Sequence, residues 1–192
     1  MNNSFFAFSS RTKYIYRWAL MRNTEKESLA EHSLEVATLA HALAVIGNKR
    51  FNKNYNADRA AALALYHDTP EIITGDMPTP VKYNSDEMRK EFKKIEDGAC
   101  NKLLEMLPDD MKDEFSPFFF KKEEDEELWL LVKAADKLSA LIKCIEERKA
   151  GNAEFRMAEK STKQIIKKLG CKECDVFVEE FLPAYELTLD QL

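Results

Sequence analysis

The chain has few of the residues that interrupt helices, with 5 Gly and 6 Pro among 192 residues. Alternating patterns typical of strands are also scarce, so the sequence predicts an all-α fold, a single-domain helical bundle over residues 1–192. It lacks an apolar run of about 18 residues, and we expect no membrane span. The N-terminus has no basic segment ahead of a long apolar core, unlike a signal peptide.

Excess positive charge is absent too, since the formal net charge is -5. This balance argues against binding to a nucleic acid polymer, whose phosphates attract basic surfaces. A small phosphorylated ligand needs only one or two well-placed cations and stays possible. The 4 Cys, without a secretory signal, are expected to be reduced thiols of a cytoplasmic protein. Cys171 and Cys174 have the spacing of zinc ligands, but no second pair or nearby His completes a site.

Helical periodicity divides the chain into segments. The first helix is predicted at about 4–14 and the clearest at 28–46, where Gly47-Asn48 indicates its end. A third begins near Asn56 and ends before Pro70, because proline disfavours helical geometry in the residue before it. A new turn then begins at Thr69-Pro70-Glu71 and closes at Gly75, and a loop is predicted over 75–83. Further helices are predicted at about 86–106, 108–119, 124–149, 153–169 and 173–182.

Only three histidines occur, and their faces differ. His32 and His41 are nine residues apart on one helix, which places them on opposite sides. His32 lies on the apolar, core-facing stripe, and His41 is expected to face outward. An isolated His on such a stripe is most often a hydrogen-bonded core residue. His67 also lies on an inward stripe, at the end of its helix.

Two aspartates lie where a helix does not favour them. Asp68 follows His67 near a helix C-terminus, where the dipole is unfavourable to an acid, although a solvated terminal residue is the simpler interpretation. Asp136 lies within an apolar-rich helix, and the alternative for it is an exposed Asp that pairs with Lys133. Together with His32 and His67, these two aspartates supply imidazole and carboxylate groups from three helices. Such groups suit a divalent first-row metal in a helical bundle. Two His and two Asp leave positions open for water and substrate.

This H…HD…D pattern resembles that of the HD-domain metal-dependent phosphohydrolase superfamily. The spacing is 35 residues from His32 to His67 and 68 from Asp68 to Asp136. A narrower resemblance, to the YfbR-like 5'-deoxynucleotidases, is densest between 17 and 155. It is carried by "RWALMRN" (17–23), "EHSLEVA" (31–37), "YHDTPEIITGDMPTPVKY" (66–83), "KAADKLSALIKCIEE" (133–147) and "AGNAEF" (150–155).

The resemblance implies an all-α homodimer that hydrolyses deoxyribonucleoside 5'-monophosphates to deoxynucleoside and phosphate. It implies one divalent metal ion, Co²⁺ or Mn²⁺. Arg17 would orient the phosphate, Trp18 would line the sugar, and Glu71 would lie beside the reacting water. The implied metal ligands are His32, His67, Asp68 and Asp136; the implied substrate contacts are Arg17, Trp18, His32, Asp68, Asp76, Met77, Pro78, Thr79 and Asp136; and the implied catalytic residues are Glu71 and Arg17.

The residue types agree with this chemistry, although each has a simpler alternative. Glu71 follows the break at Pro70, and could act as general base or general acid or could be a plain first-turn acid. The fork of Arg17 matches two phosphate oxygens, but surface arginines are common. Trp18 could be a core residue. Lys82 is a second candidate phosphate cation, or else a solvated loop residue.

Two other functions fit parts of the pattern. One is an HD-domain hydrolase of a nucleoside triphosphate, a cyclic nucleotide or an alarmone, which would need more cations than the short loop offers. The other is a non-catalytic helical module that binds a nucleotide and keeps the metal as a structural clip. The apolar stretch "FSPFFF" at 115–120 is a candidate homodimer surface or simple core packing.

Overall fold

The computed structural model describes residues 3–82 and 84–192, with the side chain of Thr79 outside that description. The predicted all-α fold is confirmed: the described residues form helices and one isolated bridge, between Tyr16 and Ser28. Short 3-10 helices join several of the α-helices. The α-helices are α1 (Phe5–Ser9), α2 (Leu29–Arg50), α3 (Ala57–Tyr66), α4 (Glu71–Thr74), α5 (Thr79–Lys82), α6 (Asp86–Glu105), α7 (Asp109–Phe119), α8 (Glu126–Lys149), α9 (Arg156–Leu169) and α10 (Lys172–Glu180).

Helices α2, α3 and α8 pack together and supply most of the main core. The α2 helix starts at a capping box in which Ser28 and Glu31 satisfy each other's backbone N–H groups. The stripe predicted to lie inside α8 is buried along its whole length. Its members are Leu128, Leu131, Val132, Ala135, Leu138, Leu141, Ile142 and Ile145.

The predicted end of α2 at Gly47-Asn48 was wrong, because the helix continues to Arg50. Gly47 is buried against the ring of Tyr55, and a Cβ there would lie 2.6 Å from a ring carbon. The Asn48 side chain holds the backbone of Tyr55, with hydrogen bonds of 2.8 and 2.6 Å. Both residues therefore serve the packing of the following loop rather than the end of the helix.

The break at Pro70 is confirmed, although α3 already ends at Tyr66. Pro70 precedes α4, and Gly75 ends it with a positive φ of 73°. The loop predicted over 75–83 was partly wrong, since Thr79–Lys82 forms the short helix α5. Proline is tolerated in the first turn of a helix, where its missing N–H is not needed, so Pro80 does not exclude helix there. Tyr83 lies outside the described residues.

The rings of the "FSPFFF" stretch are partly buried and pack against the interior. Phe115 and Phe119 contact the fully buried Phe5, at ring-centroid distances of 5.3 and 6.2 Å. Phe118 lies 4.9 Å from Tyr66. These contacts agree with core packing, and they fix the end of α3 from which the candidate site begins.

One helix, Leu29–Arg50, is long and apolar enough to cross a membrane by length and composition alone. Half of its most apolar window is buried within the protein, where it contacts α3 and α8. A core helix passes the same test, so α2 is explained by its packing.

The Cys171 and Cys174 thiols are buried beside α10. Burial raises the pKa of both to about 12, so they stay protonated at neutral pH.

Candidate active site

The four predicted ligands come from three regions of the chain. His32 is 1% exposed in the second turn of α2, and His67 and Asp68 lie in the turn after α3. Asp136 lies in the middle of α8. Ligand atoms of His32, His67 and Asp68 lie within 4.8 Å of one another, as a metal site requires. Asp136 adjoins this cluster, with an oxygen 3.4 Å from His32 Nε2.

Both histidines are held in the same tautomer. His67 Nδ1 lies 2.6 Å from the Ala64 carbonyl oxygen, which can only accept, so Nδ1 carries the proton. Ser139 donates to Glu35 at 2.5 Å, which leaves its oxygen to accept from His32 Nδ1 at 3.0 Å. Nε2 is then the atom of each ring that is left to bind a cation, and both Nε2 atoms are buried without a hydrogen-bond partner among the described residues. Two orphaned imidazole nitrogens beside carboxylates fit a bound divalent cation.

Three residues that orient His32 were missed by the sequence interpretation. Glu35 and Ser139 lie three residues after His32 and Asp136, on the same helix faces. Glu27 lies just before α2, with its carboxylate 3.3 Å from His32 Nδ1. The helical spacing could have suggested the first two, but the contact of Glu27 depends on the turn into α2.

Charges in the cluster are strongly coupled. Burial and a neighbouring guanidinium disfavour a charged His32, but three carboxylates outweigh them and raise its pKa to about 10. Burial favours a neutral Asp68, yet the adjacent histidines hold its pKa well below the usual range. The pKa of Asp136 is also lowered against burial, chiefly by His32 and Lys137. The pairing of Asp136 with Lys133 that was left open is replaced by one with Lys137, at 2.8 Å.

We expect metal affinity to rise with pH. A ligand imidazole must lose its proton, and without metal His32 keeps one up to a pKa of about 10. Below that pH, each unit of increase should tighten binding roughly tenfold where one proton is released. Calorimetric titration with Mn²⁺ at several pH values, in buffers of different ionisation enthalpy, measures both the affinity and the proton release. A flat profile between pH 6 and 9 contradicts the assignment of His32 as a ligand.

Arg17 connects the ligand cluster to the neighbouring cavity. Its guanidinium is 3.4 Å from Asp68 and 3.9 Å from Asp136. The side chain is buried, and the surrounding carboxylates keep the guanidinium charged by raising its pKa against the cost of burial. The alternative of a plain surface arginine is therefore wrong.

Trp18 has a left-handed backbone, with φ of 58°, which is costly for a bulky residue. Its indole Nε1 donates to Glu27 at 2.7 Å, and its ring packs 5.2 Å from Phe155. The turn that follows is closed by a hydrogen bond from the Met21 N–H to the Trp18 carbonyl. These contacts hold a strained residue in place, as is common at functional sites.

The Arg17 side of the cluster opens into a cavity of about 550 Å³. Its volume is typical of small-molecule sites. Asp76, Met77 and Pro78, three of the predicted substrate contacts, lie on its wall. The other lining residues are Arg17, Trp18, Ala19, Leu20, Met21, Pro80, Lys137, Ala140, Ala158, Ser161, Thr162 and Ile165.

Two further residues near the cavity need separate mention. The predicted contact by Thr79 lies outside the described side chains. Lys82, the other candidate phosphate cation, donates to Glu96 at 2.7 Å and lies 4.7 Å from the Phe92 ring. Lys82 therefore has other contacts in this structure.

Glu71 begins α4 and lines a different cavity from Arg17, together with His67, Asp68 and Asp136. One of its carboxylate oxygens is buried without a hydrogen-bond partner in the described chain. Burial raises the pKa of Glu71 to about 9, and the charges of Asp68 and Asp76 add to this. A carboxyl that holds its proton at neutral pH is suited to donate it to a leaving group.

Removing the charge of Glu27 should weaken two contacts in the site, with His32 and with Trp18. The carboxylate orients His32 and accepts from Trp18, so we expect E27Q to weaken metal binding by about 10- to 100-fold and to raise KM. Titration of the protein with metal, alongside kcat and KM at saturating metal, measures the two effects. The control is E25Q, at a neighbouring exposed carboxylate. Unchanged metal affinity in E27Q contradicts an orienting role.

A helical bundle that gathers His, His-Asp and Asp around one buried point defines the class of HD-domain phosphohydrolases. This class of enzymes uses divalent metals, and the chain has its His/Asp site. Residues 4–185 match the family model described as 5'-deoxynucleotidase YfbR-like. The chain therefore belongs to the YfbR-like family of hydrolases.

Curated relatives support this assignment along nearly the whole chain. The chain is 48% identical to a 5'-deoxynucleotidase of Vibrio vulnificus, over 98% of this chain and 97% of that one. It is 47% identical to the 5'-deoxynucleotidase YfbR of Escherichia coli O127:H6, over 98% and 94% of the two chains.

Solved structures share the fold at low sequence identity. An HD-domain phosphohydrolase of Listeria innocua superposes with a TM-score of 0.80 at 23% identity, over 95% of this chain and 88% of that one. The HD phosphohydrolase DatZ of cyanophage S-2L, described as bound to dA and one catalytic Zn²⁺ ion, has a TM-score of 0.69 at 20% identity. The superposition covers 95% of this chain and 96% of the DatZ chain.

Proposed function

We propose that this enzyme is a 5'-deoxynucleotidase, which hydrolyses deoxyribonucleoside 5'-monophosphates to deoxynucleoside and phosphate. Family membership over residues 4–185 supports the reaction class. The observation that carries the substrate is the position of Arg17, which lines the nucleoside-sized cavity and lies 3.4 Å from Asp68. A guanidinium there meets a phosphate whose nucleoside fills the cavity.

The proposed metal ligands are His32, His67, Asp68 and Asp136, whose donor set suits one divalent first-row ion, Co²⁺ or Mn²⁺. When bound, such an ion lowers the pKa of a coordinated water and polarises a phosphoryl oxygen. The burial of their Nε2 atoms without a hydrogen-bond partner in the described chain supports this role for the two histidines. His32, Asp68 and Asp136 would also border the bound phosphate.

The proposed substrate contacts orient the monophosphate and restrict its sugar. Arg17 binds two phosphate oxygens through its planar fork and is held at the correct angle by Asp68. Trp18 and Pro78 line the same cavity and are the proposed wall against a 2'-hydroxyl. Asp76, Met77 and the main chain of Thr79 complete the proposed sugar side. The described lining residues include no Asn or Gln, whose amides could pair with a base edge, and we propose broad acceptance of bases.

Glu71 is the proposed general acid–base. Held neutral by burial, it donates its proton to the 5'-oxygen as a water molecule forms a bond to phosphorus and the bond between phosphorus and the 5'-oxygen breaks. The resulting carboxylate takes up the proton that the attacking water loses, so Glu71 regains its resting state and the products are deoxynucleoside and phosphate. Glu71 and Arg17 line different cavities beside the cluster, which supports separate roles for the two residues, at the leaving oxygen and at the phosphate.

A substrate panel tests the proposal. Phosphate release is measured from deoxyribonucleoside and ribonucleoside 5'-monophosphates, triphosphates, a cyclic nucleotide and an alarmone, each with Co²⁺ or Mn²⁺. We expect release from the deoxyribonucleoside monophosphates and much less from their ribonucleoside counterparts. Release from triphosphates alone favours the alternative HD-domain hydrolase. No turnover with any metal favours the binding module.

Three further properties are proposed from the family resemblance. The chain is expected to form one domain over residues 1–192, to assemble as a homodimer and to reside in the cytoplasm. We expect no nucleic acid polymer or membrane as partner. Sedimentation equilibrium at several concentrations measures the assembly state, and a monomer at all concentrations contradicts the dimer.

A further inference from the structure

A second cavity, of about 280 Å³, lies on the Glu71 side of the ligand cluster. Its lining combines residues of the candidate site with three lysines, which come from α6, α8 and the segment between α7 and α8. The lining includes His67, Asp68, Pro70, Glu71 and Asp136 together with Lys93, Lys121, Lys133, Trp129, Phe118 and Phe119. We name it the lysine cavity.

The three lysines are close enough to repel one another. The pKa of Lys121 is lowered by burial and then by the charges of Lys93 and Lys133. Its ammonium lies 4.9 Å from the centre of the Trp129 ring. Glu96 also lines the cavity, and its carboxylate already accepts a hydrogen bond from Lys82 at 2.7 Å. The carboxylates of Asp68 and Asp136, which also line the cavity, contact Arg17 and His32. Lys93 pairs with Asp97 at 2.9 Å. This leaves Lys121 and Lys133 as the lining lysines without a carboxylate partner in the described chain, and such cations attract anions.

A neutral donor in the same cavity also lacks an acceptor. The indole Nε1 of Trp129 is buried, and no described residue accepts its hydrogen bond. An unmade bond at a buried donor is unfavourable, which makes such groups uncommon in folded proteins. A ligand that brings acceptor oxygens would satisfy Trp129 and reduce the repulsion among the lysines at once.

We propose that the lysine cavity binds inorganic orthophosphate and is the path by which this product leaves. The inference rests on the proposed function for the product, and on the cavity's own charges for the binding. A phosphate freed at the ligand cluster faces the nucleoside on the Arg17 side and the lysines on the Glu71 side. Release toward Lys121 and Lys133 lets phosphate depart while the deoxynucleoside still occupies its own cavity.

The first test uses metal-free protein, so that phosphate cannot bind through a metal. Calorimetric titration with inorganic phosphate compares wild type, K121Q/K133Q and W129F. We expect the double variant to lose roughly tenfold or more in affinity, and W129F about threefold, since charged hydrogen bonds are the stronger ones. The matched control is K90Q/K94Q, which removes two exposed α6 lysines that do not line the cavity.

The second test is product inhibition of the metal-loaded enzyme. In K121Q/K133Q the inhibition constant for phosphate should rise by a similar factor, whereas KM for the deoxyribonucleoside monophosphate should stay within about twofold of wild type. If phosphate instead binds on the Arg17 side, the inhibition constant for phosphate in K121Q/K133Q should stay close to wild type.

The outcomes separate this proposal from the proposed function. Absence of phosphate binding to metal-free wild type, or equal affinity in wild type and K121Q/K133Q, overturns the lysine cavity as a phosphate site. Binding of a nucleoside triphosphate there, without binding of orthophosphate, overturns the product path. If no deoxyribonucleoside monophosphate is hydrolysed, the proposed function fails, while the metal-free titration still decides whether the cavity binds phosphate.

Discussion

The E71Q variant is expected to bind metal with an affinity within about threefold of wild type and to lose roughly 10²- to 10⁴-fold in kcat. Glutamine keeps the size of the side chain and the start of α4 but cannot exchange the proton. Glu71 lies outside the group of ligand atoms formed by His32, His67 and Asp68, so their geometry should persist. Metal titration and single-turnover hydrolysis measure the two quantities.

The same variant should stabilise the metal-free protein. The pKa of Glu71 is about 9 when folded against an ordinary value of 4.5, so between these pH values the folded chain holds a proton that the unfolded chain has released. Wild-type stability therefore falls as pH rises through this window. E71Q lacks this dependence, and its Tm should exceed that of wild type at pH 8 and approach it near pH 4.5.

An exposed glutamate provides the comparison for both measurements. E114Q, on the surface of α7, should leave kcat, metal affinity and Tm close to wild type. A Glu71 variant with normal turnover removes the general acid–base role. A variant that loses metal as well as activity makes Glu71 a ligand or the support of one.

Most of the fold was accessible from sequence because apolar periodicity reports local structure. The exceptions are residues whose usual local meaning was overridden by distant contacts. Glycine often marks the end of a helix, but Gly47 lies inside α2, where its lack of a side chain makes room for Tyr55, eight residues later. Pro80 usually interrupts a helix, yet within the first turn of α5 it does not. Neither the contact of Gly47 with Tyr55 nor the short helix at Pro80 follows from neighbouring residues alone.

The site was less accessible, because convergence depends on which helix faces meet. His67 and Asp68 are neighbours in sequence, but their connection with His32 and Asp136 rested on residue types and helix faces, and local sequence alone does not show that those faces meet. The supporting contact from Glu27 requires the pairing of backbone next to Tyr16 and Ser28, which only the folded chain reveals. Residues that hold the ligands were therefore missed more often than the ligands.

The lysine cavity had no local signal at all. Its three lysines are separated by 28 and 12 residues. Each is exposed in the structure, as lysines usually are, so nothing in the sequence pattern indicates that they share a cavity. Their convergence near Trp129 becomes apparent only in the folded chain.

The D68N variant is expected to lose metal affinity by at least about 100-fold and, at a fixed low metal concentration, to lose nearly all turnover. Asp68 contacts both predicted histidine ligands and the predicted phosphate-binding residue Arg17. Its Oδ2 lies 3.0 Å from His67, 3.5 Å from His32 and 3.4 Å from Arg17. Asparagine preserves the shape but removes the charge that offsets the site's cations. Titration with Mn²⁺ followed by assays over a range of metal concentrations measures the loss.

Excess metal distinguishes two causes of that loss. If Asp68 acts only by holding the ion, saturating metal should restore most of kcat in D68N. If it also fixes the angle of Arg17, KM for the substrate should stay high even at saturating metal, because a guanidinium without its carboxylate partner is free to turn away from the phosphate. D58N, which alters an exposed aspartate beside His41, supplies the matched control. Wild-type metal affinity in D68N would remove Asp68 from the ligand set and with it the central contact of the proposed site.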